Sequence, residues 1–146
     1  MGVGYMVLVP DPDQVIFDAD AFVRAAQVRW PGCRVIWNDG PSKSISDVSV
    51  RVDPGEDPPF MIIHFPECRS LVIDGNPCNS AEVAVWVREL YPDPDLVLWF
   101  IDGAFTAHVV LHPGITTDEI HAGWVDHREH DPYEEFPQYF ADWKTW

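Results

Sequence analysis

The stretch from Ser80 to Leu111 reads as a helix followed by a β-hairpin, and it constrains the fold more than any other part of the chain. Val83, Trp86, Val87 and Leu90 recur at three-and-four spacing, which puts them in one apolar stripe along a helix over 80–91. Asn79 is the expected cap and Glu82 completes a capping box, while Pro92 and Pro94 end the helix because neither can continue it. Leu96 to Ile101 is then apolar and β-prone, and Asp102-Gly103 suits a two-residue type I′ turn. On the return strand Ala107, Val109 and Leu111 alternate with Thr106, His108 and Val110. A helix with one face to bury, beside strands that must pair, is an α+β arrangement.

The rest of the chain supplies matching pieces. Tyr5 to Val9 is a short apolar strand stopped by Pro10 and Pro12, and Asp18 caps a helix over 19–30 that buries Phe22, Val23, Ala26 and Trp30. Pro31-Gly32 closes that helix, and Arg34 to Trp37 forms the next strand before the turn-rich loop 38–42. Val48, Val50 and Val52 alternate with Ser49, Arg51 and Asp53, the pattern of a strand with one wet face. Strands at 60–65 and 71–73 follow, so the connections are short enough for antiparallel pairing. Thr116 or Thr117 caps a short helix reaching about 125, with Asp118 and Glu119 at the positive end of its dipole. The expected order is β-α-β-β-β-β-α-β-β-α, an antiparallel or mixed sheet with helices packed on one face. The two halves share a helix followed by strands but no residues repeat at a fixed period.

Residues 1–125 make the expected α+β domain and 126–146 an acidic, aromatic C-terminal tail packed on it. Within the tail Phe136, Phe140 and Trp143 have helical spacing. A chain of 146 residues can bury roughly 70% of its extended surface, enough for one independent core. Apolar residues at 47% exceed what a disordered chain carries, and no apolar run approaches the roughly 18 residues needed to span a bilayer. The N-terminus has no basic region and no small-residue cleavage site, and Met6 stands where a myristoylation pattern wants Ser or Thr. Cys33, Cys68 and Cys78 are dispersed, without CxxC spacing, which fits a reducing cytoplasm better than a disulfide framework or a zinc knuckle.

Charge narrows the function classes. Nine Lys and Arg against 24 Asp and Glu leave a formal charge of −15, which repels phosphate backbones and anionic membranes and steers cationic partners inward. A basic protein partner is therefore expected, and nucleic acid or membrane binding is not. The residues expected to meet it are exposed acids beside aromatics: Trp37 and Asp39 on one segment, and Tyr133, Glu134, Glu135, Asp142 and Trp143 on the tail.

The run Ala81 to Arg88, then Leu98-Trp-Phe-Ile-Asp-Gly103, then His108 and Pro113 to Ile120, resembles small uncharacterised actinobacterial α+β proteins, some of which resemble immunity proteins of polymorphic toxin systems. The matching residues are core and turn positions over about a third of the chain, so the resemblance implies a fold and a binding role and transfers no functional residue.

Catalytic patterns are absent from the sequence. It has no GxSxG elbow, Walker loop, GxGxxG or HExxH, so no catalytic residue and no cofactor is assigned. The nearest metal constellation is His121, His127 and His130 with Asp126, Glu129 and Asp131, since a helix through 127 and 130 would bring imidazoles onto one face. Its alternative is a set of solvated surface histidines. His64 reads as a partly buried structural histidine, and His108 and His112 as sheet-edge or loop residues. The leading expectation is a non-enzymatic immunity or antitoxin-like protein. A secretion-chaperone-like adaptor and a metal-dependent hydrolase on the C-terminal histidines are the alternatives.

Overall fold

The computed structural model describes residues 4–16, 18–40 and 46–140. Its strands are β1 (Tyr5–Leu8), β2 (Arg34–Trp37), β3 (Val48–Val52), β4 (Phe60–His64), β5 (Ser70–Ile73), β6 (Trp99–Asp102), β7 (Ala107–Val110) and β8 (Val125–Asp126). They form one eight-stranded sheet in the order β2-β3-β4-β5-β1-β6-β7-β8, with every neighbouring pair antiparallel. The N-terminal strand thus sits inside the sheet and joins two meanders into one surface. Tyr5 pairs with Ile73 on one side and with Asp102 on the other.

The helices of the first core follow from that order. α1 (Ala19–Arg29) carries the chain from β1 to the far edge at β2, and α2 (Pro77–Leu90) carries it from β5 across β1 to β6. Each links two parallel strands. The two crossovers start from strands of opposite direction and leave in opposite lateral directions, so the right-handed rule puts both helices on the same face. Phe22, Val23 and Ala26 of α1 and Val83, Ala84 and Val87 of α2 share one core with Val7, Val50, Ile62, Ile73 and Phe100 from the sheet. Trp86 ties the helices together, edge-on to Trp30 at 4.8 Å.

Local chemistry sets the helix ends. Asp18 caps α1 as expected, accepting from the Ala21 N–H at 2.8 Å. α2 begins earlier than its apolar stripe predicts: Asn76 is the cap, accepting from the Asn79 N–H at 2.7 Å, and Pro77 takes the first helical position, where its missing N–H is not needed. Asn79 is buried inside the helix, and Leu90, expected on the apolar face, is exposed. α3 (Thr117–Ala122) stops short of 125 at Gly123 and has a full capping box between Thr116 and Glu119.

The hairpin also differs from expectation at its tip. No two-residue turn forms at Asp102-Gly103. Residues 103–106 make the loop, closed by the Phe105 N–H on the Asp102 carbonyl at 3.0 Å, with the Asp102 carboxylate accepting from the Thr106 N–H and hydroxyl. The left-handed backbone falls on Phe105, at φ 56°, because its ring is held by tertiary contacts with Phe140 and His127.

A second layer covers the opposite face. α4 (Pro132–Glu135) and α5 (Pro137–Phe140) lie over β1 and β6, where Phe140 packs with Leu8, Trp99 and Ile101. The long helices share one face, but these two short ones occupy the other, so helices flank both sides. Pro137 splits what the spacing of Phe136 and Phe140 suggests as one helix. β8, absent from the expected order, pairs with β7 through Val125 and His108.

Candidate functional site

Among the described residues β2 is the edge of the sheet, pairing only with β3, which places Val35 beside Val50 on the core side. The two residues after Val35 are left outside: Ile36 is 39% exposed and Trp37 is 47% exposed. Asn38 ends the strand by donating to the Ser46 carbonyl at 2.9 Å and accepting from the Gly40 N–H at 3.1 Å, which sets Asp39 at the tip of a closed turn. Trp37 and Asp39 are therefore both accessible, on an edge whose outer backbone groups pair with no strand among the described residues.

The tail candidates occupy a different place. Asp131 caps α4 by accepting from the Tyr133 N–H at 2.9 Å, and Tyr133 turns inward, half-buried against Phe105 and Phe140. Glu134 is exposed, and Glu135 pairs with His130 at 3.2 Å. Asp142 and Trp143 lie outside the described residues. Five strand steps separate β2 from β6 under this layer, roughly 24 Å at ordinary strand spacing. The structure brings Tyr133, Glu134 and Glu135 together and keeps them apart from Trp37 and Asp39.

The three C-terminal histidines go separate ways. His121 lines a cavity of about 220 Å³ with Tyr5, Phe100 and Trp124, His130 faces Glu135, and His127 turns to His108. Asp126 is engaged by Arg128, whose guanidinium hydrogen bonds hold the carboxyl down to about 2. Among the described residues no three His, Cys, Asp or Glu side chains group as a metal-binding set.

His108 is the functional-type residue that sequence reading misplaces. It lies in β7, opposite Ile101, and is 2% exposed rather than at an edge. Its ring stacks on Trp99 at 3.9 Å, and burial, with the nearby His127 and His130, pushes its pKa down to about 4. His127 contacts the Phe105 carbonyl through Nδ1 at 2.7 Å and His108 Nδ1 through Nε2 at 2.8 Å. A carbonyl only accepts, so His127 carries its proton on Nδ1 and its Nε2 accepts from His108. Strand alternation was the available signal, since it sets His108 on the face of Ile101, away from Val109.

Other polar groups are equally committed. His64 is fully buried, stacked on Phe22 and 2.7 Å from Asp47. His112 is exposed and meets Glu119, whose carboxyl is held low chiefly by hydrogen bonds from Thr116. Burial raises the Cys33 and Cys68 thiols, away from the reactive thiolate form. Most of the side chains that sequence patterns offered for chemistry are thus spent on capping turns, pairing or packing, whereas His121 stays exposed at the cavity it lines. No helix of the described residues is long and apolar enough to cross a membrane. Set beside known family models, curated proteins and solved structures, the chain matches none.

Proposed function

We propose that this protein is a non-enzymatic binding domain that works in the cytoplasm as an immunity or antitoxin-like neutraliser of a basic protein. The observation that supports this reading best is the open edge strand β2, with Ile36 and Trp37 exposed along it and Asp39 at its end, on a chain of net charge −15. An open edge offers backbone hydrogen bonds to an added strand, an exposed tryptophan offers an apolar anchor, and the charge speeds encounter with a cationic surface. Glu134, with Glu135 near it on α4, extends the acidic surface at a distance from the anchor. Three free cysteines fit a reducing compartment.

The test is recovery of partners on the tagged protein at low and moderate salt, followed by binding kinetics with the purified partner. A basic protein is expected, with Asp39→Lys slowing association and flattening its salt dependence, and Trp37→Ala speeding dissociation about tenfold or more. A partner whose binding ignores both substitutions, or no basic partner at either salt, overturns the proposal.

A further inference from the structure

Arg29 in the last turn of α1, Arg34 at the start of β2 and Arg51 on β3 line one open cavity of about 360 Å³. These are three of the nine Lys and Arg in a chain with 24 Asp and Glu. None of the three is in an ion pair among the described residues, although Arg29 also borders a neighbouring cavity with Glu82 and Glu89.

The strand register adds a like-charge contact. Arg34 stands directly opposite Arg51 in the β2–β3 pair, and like charges at facing positions destabilise a sheet. Arg29 is held by its neighbour, its guanidinium lying 5.3 Å from the centroid of the Trp30 ring. Trp30 is itself braced against Trp86, so this cation is positioned rather than loose. Asp53, the acid on the rim, has an oxygen taken by the Gly55 N–H at 3.0 Å within its own turn. The cavity falls in the size range of small-molecule sites.

We infer that the cavity bounded by Arg29, Arg34 and Arg51 is an anion site for the phosphate groups of a small molecule. Planar guanidinium groups present paired N–H donors that match phosphate oxygens, and a multivalent anion relieves the repulsion between Arg34 and Arg51. The overall negative charge opposes anion approach at long range but is screened beyond roughly 8 Å at physiological salt, so recognition here is a contact effect. This inference goes beyond the basic-partner reading and does not depend on it: Arg34 is at the opposite end of β2 from Trp37.

The test is calorimetric titration of the whole protein with inorganic pyrophosphate and, separately, ADP, at constant ionic strength set with chloride. Saturable binding is expected for both, weakened at least tenfold in Arg34→Met and in Arg51→Met and unchanged in Arg24→Met, an exposed arginine of α1 outside the cavity. Tighter binding of ADP assigns a role to the organic part, and equal binding assigns recognition to the phosphates alone; each supports the site. Circular dichroism and melting curves establish that the variants are folded, and both substitutions remove a like-charge pair rather than a core contact. Absence of saturable heat with both anions, or binding indifferent to Arg34 and Arg51, overturns the inference.

Discussion

His108 donates from Nδ1 to Nε2 of His127 across 2.8 Å, and the acceptor's own proton is fixed on the Phe105 carbonyl. The two imidazoles thus link the hairpin loop, β7 and the segment after β8 in one chain of hydrogen bonds. Trp99 closes it from below, stacked on His108 with the planes 7° apart. A proton on His108 would have to enter a buried site already facing His127, which is why its pKa falls rather than rises.

That arrangement makes stability depend on pH. The folded-state value is about 4 against an ordinary 6.5, so between those limits the unfolded chain binds a proton that the native chain does not. The contribution is fully present above about pH 6.5 and is lost as pH falls toward 4, up to about 3 kcal/mol. His108→Asn, which keeps a neutral donor, is expected to flatten urea-denaturation stability across this window while lowering it at pH 7. Parallel curves for the two proteins would remove His108 as the cause.

Arg88 predicts a large effect of a residue far from any proposed surface. It is 2% exposed, and its guanidinium donates to the carbonyls of Leu96 at 2.7 Å and Asp93 at 2.8 Å, clamping the loop between α2 and β6. Arg88→Ala leaves those carbonyls without their donor and opens space beside the core, for a loss of about 3 kcal/mol in chemical denaturation. A loss below about 1 kcal/mol would mean that water replaces the clamp.

Phe140 anchors the second layer. It is fully buried against Trp99 at a ring separation of 5.2 Å, so Phe140→Ala should cost about 3 kcal/mol. The same change should increase quenching of tryptophan emission by acrylamide, because the α4–α5 layer shields Trp99. Unchanged quenching would show that the layer holds without this ring.

The start of α2 separates two possible caps. Asn76→Ala removes the hydrogen bond to the Asn79 N–H and should cost about 1 kcal/mol in thermal or urea unfolding, whereas Glu82→Ala, at an exposed site within the helix, should stay within about 0.5 kcal/mol. The reverse ranking would restore the cap expected from the apolar stripe.

The sequence by itself determined the elements that depend on near neighbours. Asp18 and Thr116 mark helix starts, Val48, Val50 and Val52 mark a one-sided strand, and the order through α3 follows from such short-range signals. Tertiary structure decided the lateral order of strands, because Met6 meets Val72 and Ile101 only after long stretches of chain have folded back. It also decided that Phe105 takes the strained turn position and that His108 is buried under α4 and α5, since both depend on rings supplied by residues 133–140. The two candidate surfaces divide in the same way. Trp37 and Asp39 are legible as an exposed aromatic and acid, but Arg29, Arg34 and Arg51 line one cavity only because strand register and the path of α1 bring their segments to it. Propensity and capping act over a few residues, whereas register and burial are set by which distant side chains exclude water from one another.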